Sequence, residues 1–401
     1  MISSHPSKEM LVAAECSWLP GTEAGLRNQN RRLTKLLDGV DVPILMGLFR
    51  RHRISMLAQK VLEAHGELRI LGESARQLAK ENELHVASRL RSLQAEGAIR
   101  KLLSESNLPH QVMKGTTLSH RIYGNPLVRH TKDIDLLVQP GDLWAVVALL
   151  EREGWIEEHP CLPRSAPYRW LLRRRWYHLE FHKPGTGLHL EVHWHVEEIP
   201  GTKLDEIWVP RLLAAQAGHP IQPIEFLYLC AHGEHHSWMR LKWLGDIRAL
   251  LERHPGLWDG ACHLAPEVSL LPALRQVEAL MNLLYDVHPG SPGPDADTGL
   301  LVEAALRSLD IEDPANGVPW EKGLQGRWKA FRFSWIGYRR FGWRDRVRSF
   351  LWREFFNGRD MLLLRLPGVL LPLLPVLRVV ILALRPFSPA LRRMRSEAYG
   401  H

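Results

Sequence analysis

Cysteine is scarce in this chain of 401 residues, which contains four of them: Cys16, Cys161, Cys230 and Cys262. No two of them have CxxC spacing, and the intervals between them are long and irregular. This pattern argues against a zinc ribbon or a disulfide framework and is typical of a protein in a reducing cytosol. The N-terminus also lacks a basic stretch followed by an apolar run. We therefore expect no secretory signal and a cytoplasmic location.

Extremes of composition are also missing, since the chain is 45% hydrophobic and 24% charged. That balance excludes a fibrous or wholly disordered protein, and the length allows two or three packed units. The net charge of +8 is unevenly distributed. Residues 327–357 contain nine Lys or Arg and two acids, and residues 358–401 contain seven Arg and two acids. The last 75 residues therefore carry +12 and the first 326 carry −4, so the high pI belongs to the C-terminal tail.

Regularly spaced apolar residues predict helices at 43–65 and 74–105. Further helices are predicted from about 224 to 253 and near 268–285 and 299–309. For the helix at 74–105 we predict one apolar side, formed by Leu78, Val86, Leu90, Leu93 and Ile99. No internal repeat is found.

The stretch between these helical regions has an α/β pattern. We predict a short apolar piece His110–Met113, a turn Lys114–Gly115, a helix Thr116–Tyr123, a strand Asp133–Val138, a helix Asp142–Glu153, and strands Trp176–Lys183 and Leu188–Val196. A Pro-Gly-Thr-Gly turn joins the last two strands into a hairpin. In the second of them, Leu188, Leu190, Val192 and Trp194 share one face, and His189, Glu191, His193 and His195 share the other.

Two carboxylates on the first of these strands are the strongest chemical signal. Asp133 and Asp135 are two residues apart, so both leave the same face and repel each other unless a cation lies between them. Oxygen ligands with room for water and phosphate suit Mg²⁺. Upstream, Lys114 and the amides of Gly115–Thr117 at a helix N-terminus can accept phosphate charge. A bare DxD is more often a pair of solvated acids, but this turn and the later Glu191 together favour a metal site.

Three runs of sequence resemble one known family: MKGTTLSHRIYGNPLVRHTKDIDLLV, LEVHW and CAHGEHHSWMRLKWLGDI. They are similar to the bacterial "uncharacterised nucleotidyltransferase" family of the DNA polymerase β-like nucleotidyltransferase superfamily, over roughly residues 43–252. The resemblance implies an α+β fold, in which a small mixed β-sheet forms a nucleotidyltransferase core at 106–200. An N-terminal helical region (1–105), a helical domain (201–326) and the basic tail (327–401) would flank that core.

The resemblance also implies an activity, the transfer of a nucleoside monophosphate from an NTP to a hydroxyl group. The acceptor stays open among a small molecule, a glycan, an RNA and a protein. Two Mg²⁺ ions, with Mn²⁺ as the alternative, would be held by Asp133, Asp135 and Glu191, the last standing where relatives commonly carry Asp. The residues expected at the NTP are Lys114, Gly115, Thr116, Thr117 and Arg129. For Arg129, a structural pairing with a carboxylate is an equal alternative.

A second class of function is a catalytically silent relative that serves as a binding or scaffolding protein at the membrane. The presence of all three acids favours the enzyme. In the tail, Arg alternates with aromatic residues, and the Leu-rich segment 361–384 contains Arg365, Arg378 and three prolines. These features argue against a spanning helix and leave two readings, an interfacial segment on an anionic membrane and packing on the core. Nucleic-acid binding ranks third.

Three further groups receive weaker interpretations. The arginines of 164–175 form a predicted basic loop that either receives a triphosphate or is simply solvated. His232 and His236 are four apart but lack the HExxH order of a zinc protease, so we expect packing, with one histidine of this helix facing the substrate cleft. Asp246 is expected to orient a neighbouring basic group.

Overall fold

The computed structural model describes residues 6–158, 164–196, 203–215, 220–290, 293, 295–311, 318–339, 343–344, 347 and 366–384. Within them the chain has the mixed α+β fold that the sequence predicts, with N-terminal helices, a five-stranded mixed sheet and a C-terminal helical region. The chain forms two compact units. The first comprises residues 1–136 and 210–340, and the second comprises residues 137–209 and 341–401.

Helices make up most of the described residues. In chain order they are α1 (Lys8–Glu15), α2 (Glu23–Leu36), α3 (Val42–Arg51), α4 (Ser55–Ala64), a 3-10 helix (Leu68–Leu71), α5 (Ser74–Glu105), α6 (Gly115–Tyr123), α7 (Leu143–Arg152), α8 (Ala166–Arg175), α9 (Lys203–Ala214), α10 (Pro223–His235), α11 (Leu241–Arg253), α12 (Gly256–Leu264), α13 (Leu271–Tyr285), α14 (Thr298–Asp310), α15 (Leu324–Arg339), a second 3-10 helix (Gly368–Leu373) and α16 (Leu374–Leu384).

The strands are β1 (His110–Val112), β2 (Ile134–Val138), β3 (Ile156–Glu157), β4 (His178–Lys183) and β5 (Leu188–His193). They form one sheet in the order β1-β2-β5-β4-β3. The pairs β3–β4 and β4–β5 are antiparallel, and the register of the second sets Glu180 opposite Glu191. Every residue of β2 is buried. Position within the sheet, rather than alternation, therefore decides which side chains of β2 are shielded from water.

The core of the first unit is formed by closely packed helices. Val12, Ala13 and Ala14 of α1 are fully buried. Gly245 of α11 lies so close to the turn after α1 that a Cβ there would meet the Ser17 carbonyl oxygen at 2.1 Å. Glycine at this position therefore permits the close approach of α11.

The predicted helix at 43–65 is wrong as a single element, because α3 and α4 are separated at His52–Ile54. Arg53 has a left-handed φ of 57°. Its N–H donates to the Arg50 carbonyl at 3.1 Å, and the Ile54 N–H donates to the Phe49 carbonyl at 3.0 Å. These are the two hydrogen bonds of a Schellman motif, which closes a helix. The break was missed because arginine, not glycine, occupies the left-handed position.

The predicted helix at 224–253 is divided in the same way into α10 and α11. Ser237 and Trp238 have φ values of 49° and 53°, and the Trp238 N–H donates to the Gly233 carbonyl at 2.7 Å. The Trp238 ring is fully buried against Gly233, where a Cβ would lie 2.3 Å from it. Burial of the ring therefore offsets the unfavourable backbone conformation.

Helix α5 has the predicted bounds, but the predicted apolar side is wrong. Leu90 is 45% exposed, and Val86 and Leu93 are half-buried. The buried side of α5 instead consists of Leu78, Asn82, Arg89, Ser92, Glu96, Ile99 and Leu103. The periodicity of apolar residues does not reveal such a side, because polar residues on it are buried by their hydrogen bonds rather than by hydrophobicity.

In the second unit, the predicted basic loop at 164–175 is mostly the helix α8. Tyr168 and Leu171 of α8 form a buried cluster with Leu371 and Leu374. The Tyr168 hydroxyl donates to the Leu366 carbonyl at 2.7 Å. This stretch of the tail therefore packs against α8. Residues 340–342, 345–346, 348–365 and 385–401 of the predicted tail lie outside the described residues.

Candidate metal and nucleotide site

Strand β2 carries the first acid of the site. Asp135 is 2% exposed, and its carbonyl accepts from the Met113 N–H at 2.9 Å. That bond fixes the end of β1 to β2 and brings the Lys114 turn beside the strand. Asp133 precedes the strand, is half-buried, and accepts from the Thr131 hydroxyl through its carbonyl at 2.9 Å.

Lys114 reaches the carboxylate of β2 directly. Its Nζ lies 2.7 Å from Oδ1 of Asp135, and the two side chains are 11% and 3% exposed. A buried carboxylate is costly without a partner cation. In this state Lys114 therefore supplies the positive charge that Asp135 requires.

Strand β5 provides the second acid and an imidazole. Glu191 and His193 are two residues apart on one face, and His193 Nε2 lies 3.1 Å from Glu191 Oε2. Because β5 is the neighbour of β2 in the sheet, Asp135, Glu191 and His193 come together. One ligand atom from each lies within 4.8 Å of those of the other two. Two carboxylates and an imidazole are a plausible donor set for a divalent cation.

This group brings together two of the three acids predicted from the sequence and adds a histidine. In the part of the chain that the structure describes, Asp133 does not belong to this group. The sequence places His193 on the same strand face as Glu191, but strand alternation alone does not identify it as a metal ligand. Its near-complete burial beside a carboxylate, with 7% exposure, is what distinguishes it.

A second carboxylate–imidazole pair lies directly across the hairpin. Glu180 is the register partner of Glu191, and His178 is that of His193. His178 Nε2 lies 3.1 Å from Glu180 Oε1, and the two imidazole rings are 5.1 Å apart. Facing carboxylates on adjacent strands repel unless a proton or cation compensates them. This arrangement gives the hairpin a further reason to attract a cation.

The turn before α6 is held by an acid that the sequence did not single out. Gly115 has φ of 71°, a conformation that glycine adopts without strain. The Thr116 hydroxyl donates to Glu96 at 2.5 Å, and the Thr117 hydroxyl donates to the other oxygen of Glu96. Glu96 projects from the buried side of α5 and is 2% exposed. The two threonine hydroxyls are thereby engaged, while the first amides of α6 have no acceptor within the helix.

Arg129 forms a structural pair with a carboxylate, which was one of the two roles predicted for it. Its Nε donates to Asp246 at 2.7 Å, both side chains are 2% exposed, and the Tyr123 hydroxyl donates to the same carboxylate at 3.1 Å. Burial alone would lower the pKa of Arg129, but the charge and hydrogen bond of Asp246 outweigh it, so that pKa is raised. Arg129 is therefore a charged brace, and Asp246 pairs with a basic group as expected.

The histidines of α10 form a ring cluster with Trp243. The rings of His232 and His236 lie 5.1 and 5.3 Å from Trp243 and 4.6 Å from each other. Burial lowers the pKa of His232 well below its usual value, and the charge of Lys114 lowers it further. The Lys114 charge therefore acts on His232, which stays neutral near neutral pH.

The comparisons with known proteins concern the region that contains this site. A family model described as "uncharacterised nucleotidyltransferase" matches residues 38–286. No curated protein and no solved structure matches the chain.

Proposed function

Because the chain belongs to the uncharacterised nucleotidyltransferase family, we propose that it transfers a nucleoside monophosphate from an NTP to a hydroxyl group, using divalent metal ions. The observation that carries this proposal is the convergence of Asp135, Glu191 and His193 to within 4.8 Å. Mg²⁺ is the proposed ion, with two ions per site and Mn²⁺ as the alternative. The proposed acceptor is a small molecule, a glycan, an RNA or a protein.

In the proposed reaction, the acceptor oxygen attacks the α-phosphorus of the NTP and pyrophosphate leaves. The metal, when bound, neutralises charge that develops on the phosphate oxygens. Asp135 and Glu191 would hold it, and Asp133 would contribute from the loop before β2. Glu191 would take up the proton of the attacking hydroxyl, and its Oε2 lies 3.1 Å from Nε2 of His193. His193 would orient Glu191 and share that proton.

Lys114 has two roles in this proposal. Without a cation it neutralises Asp135 at 2.7 Å. A metal ion held by Asp135 would replace that charge, and Lys114 would then be available to a phosphate group of the NTP. The amides of Gly115–Thr117 would contact the same phosphate, because the N-terminal amides of a helix favour anions. The 106–200 region would be the catalytic core, and the 1–105 and 201–326 regions would support it. The 327–401 region would form a C-terminal tail, of which Leu366, Leu371 and Leu374 pack against α8.

The test is a pyrophosphate-release assay with each NTP and Mg²⁺, in the presence of fractionated cell extract as the source of acceptor. Asp135→Asn should reduce turnover at least about 100-fold, since a neutral amide holds a cation poorly. Asp142→Asn, a change of the same kind just beyond β2, is the matched control and should retain activity. Wild-type turnover in Asp135→Asn would refute the mechanism. A chain that binds metal but releases no pyrophosphate would instead support the scaffolding alternative.

A surface for an anionic membrane is our second proposal, and helix α15 carries it. Leu324, Trp328, Phe331 and Trp335 follow helical spacing along one side and are 85%, 60%, 57% and 49% exposed. The aromatic rings stack along that side at centroid distances of 5.7 and 6.4 Å. Exposed aromatic residues in such a row mark an interaction surface.

The polar side of α15 is the side that faces the protein. Lys329 Nζ lies 2.7 Å from Glu303, and Arg332 lies 2.5 Å from Asp297. The helix is therefore attached by ion pairs and presents its apolar side to solvent. The +12 charge of residues 327–401 favours an anionic lipid surface, where aromatic residues lie at headgroup depth. None of the described helices is long and apolar enough to cross a membrane, so binding would be peripheral, at the cytoplasmic face.

A further inference from the structure

Four basic side chains of the first unit are gathered near Asp133 and have no part in the site described above. They are Arg53, Arg89, Arg240 and Lys242, which we call the basic cluster. Burial, together with the charges of neighbouring cations, lowers the pKa of Arg89 and of Arg240 to about 10, and Arg53 is one of these cations in both cases. Burial and then the charges of Arg129 and Arg53 also lower the pKa of Lys242. Arg53 is therefore the common neighbour of the other three.

Arg89 and Arg53 are not balanced by ion pairs. Arg89 projects from the buried side of α5 and is 4% exposed. It donates weakly to the Arg129 carbonyl at 3.4 Å, and its Nε has no hydrogen-bond partner. Among the described residues, Arg53 forms no ion pair and no side-chain hydrogen bond. Among the described residues, neither guanidinium group therefore forms an ion pair with a carboxylate.

The other two members of the cluster also donate to uncharged acceptors. Lys242 Nζ donates to the His130 carbonyl at 3.2 Å, and Arg240 donates to the Arg51 carbonyl. Main-chain carbonyls satisfy hydrogen bonds but do not neutralise charge. His130 adds no charge of its own, since burial lowers its pKa to about 2, and the charges of Arg89 and Lys242 contribute.

Two acids act on the cluster. Burial and neighbouring cations lower the pKa of Arg89 and of Lys242, and the charge of Asp133 opposes that lowering in both. Asp246 also acts on Lys242, but it already forms the 2.7 Å ion pair with Arg129. Buried positive charge without a partner is unfavourable, and a bound anion would reduce that cost. The cluster is therefore short of negative charge.

The cluster also has an accessible side. Arg53 is half-buried and holds the left-handed φ of 57° between α3 and α4, a conformation that arginine adopts only when the surroundings impose it. Asp133 is half-buried as well. An anion could thus approach at Arg53 and lie next to the acid that is predicted to bind metal.

We infer that the basic cluster binds the polyphosphate chain of the NTP, an inference that rests on the proposed function. Arg129, which was expected at the phosphates, pairs with Asp246 instead, and the hydroxyls of Thr116 and Thr117 donate to Glu96. The basic cluster would therefore add to the phosphate contacts of Lys114 and the amides of Gly115–Thr117. Guanidinium groups bind phosphate oxygens through two parallel hydrogen bonds. The guanidinium groups of Arg53, Arg89 and Arg240 would meet the negative charge of the triphosphate, and the nearby Asp133 would allow a metal ion to join the same phosphates.

The experiment measures the binding of inorganic tripolyphosphate to the full chain by titration calorimetry in metal-free buffer. The unmodified chain should bind it, with an affinity that falls as salt is added. Arg53→Gln should weaken binding at least tenfold, and Arg53→Lys should recover part of the loss. Arg50→Gln is the matched control, because Arg50 lies three residues earlier, in the last turn of α3, and pairs with Glu81 at 3.0 Å. It should change binding less than twofold.

Two further arms identify the ligand and separate the two proposals. Inorganic phosphate should compete much less well than tripolyphosphate, and equal competition would overturn the assignment to a polyphosphate chain. Equal binding by the unmodified chain and Arg53→Gln, with both folded by circular dichroism, would overturn the site itself. Asp135→Asn should still bind tripolyphosphate. If Asp135→Asn binds tripolyphosphate but the unmodified chain turns over no NTP, the proposed nucleotidyl transfer is wrong. The anion site at the basic cluster would still stand.

Discussion

Lys114 and Asp135 are joined by an ion pair of 2.7 Å, so the base expected to contact the nucleotide instead neutralises an acid expected to bind metal. The two roles compete for the same carboxylate. A cation bound to the same oxygen of Asp135 must displace the ammonium group of Lys114 from that carboxylate. Metal binding and nucleotide binding should therefore be coupled through Lys114.

The first prediction concerns this competition. Lys114→Ala should strengthen Mg²⁺ binding in the absence of nucleotide, by about tenfold or ~1.4 kcal/mol, because no ammonium group has to leave. The same change should weaken NTP binding. Both affinities can be measured by calorimetry, with the exposed Lys101→Ala as the control. An unchanged Mg²⁺ affinity would mean that the ion pair has no part in the metal site, and an unchanged NTP affinity would leave Lys114 a structural residue.

The second prediction separates the two facing carboxylates of the hairpin. Glu191→Gln should reduce turnover at least about 100-fold, since its carboxylate belongs to the group with Asp135. Glu180→Gln, its register partner, should cost less than about tenfold, because its carboxylate is not a member of that group. Steady-state rates of pyrophosphate release would decide the matter. A larger loss for Glu180→Gln would reassign the metal ligand to β4.

How much of this site could be predicted from the sequence depends on how far apart along the chain the interacting residues lie. Asp135 and Glu191 were identifiable because strand alternation and a nearby glycine turn are local patterns. The hydrogen bonds of Glu96 and Asp246 were harder to predict, since their partners lie 20 to 123 residues away along the chain. His193 was placed on the correct strand face, but no local pattern indicates that it is buried beside Glu191.

The fold was predictable where glycine, proline or periodicity marks an element. Helix α5 has the predicted bounds of Ser74–Glu105, and α6 ends at Gly124 as its breaker residues indicate. The two missed helix ends lie at Arg53 and at Ser237 and Trp238, which adopt left-handed conformations without being glycine. Such ends depend on burial and packing that form only in the folded chain.

The third prediction concerns the buried Arg129–Asp246 pair. Asp246→Asn should destabilise the protein by about 3–5 kcal/mol, because it leaves the arginine charge buried without compensation. Replacing both residues by apolar ones, as in Arg129→Met with Asp246→Leu, should recover much of that loss. Urea denaturation would measure both values. The exposed pair of Glu23 and Arg27 is the control, and breaking it should cost less than about 1 kcal/mol.

The fourth prediction is a loss of stability in acid. Burial lowers the pKa of His52 well below its usual value and that of His130 to about 2. His52 also accepts from the Leu241 N–H through Nδ1 at 3.3 Å, a bond that protonation would break. Below about pH 6.5 the unfolded chain gains protons that the folded chain does not bind. Each histidine should therefore remove about 1.4 kcal/mol of stability per pH unit as the pH falls.

Denaturation curves between pH 7.5 and 4.5 would test this. His130→Gln should make the decline less steep by about one histidine's contribution, whereas replacement of the exposed His263 should leave the slope unchanged. Identical slopes for His130→Gln and the unmodified chain would show that His130 is protonated in the folded state.

The last prediction concerns the exposed side of α15. The unmodified chain should sediment with vesicles that contain anionic lipid at low salt, and the bound fraction should fall as salt rises, because charges are screened within about 8 Å at physiological ionic strength. The triple change Trp328→Ser, Phe331→Ser and Trp335→Ser should abolish most of the binding. These side chains are about half exposed or more, so their loss removes little buried area and should leave the fold intact.

The matched control changes exposed apolar residues that lie far from the basic tail in sequence. Leu84 and Leu90 of α5 are 67% and 45% exposed, and Leu84→Ser with Leu90→Ser should bind vesicles like the unmodified chain. Each basic residue near an anionic surface contributes about 1 kcal/mol, so a few engaged arginines suffice for binding that sedimentation can detect. Vesicles of zwitterionic lipid alone should bind weakly. A full-length chain that ignores anionic vesicles at low salt would leave the aromatic row of α15 to a protein partner instead.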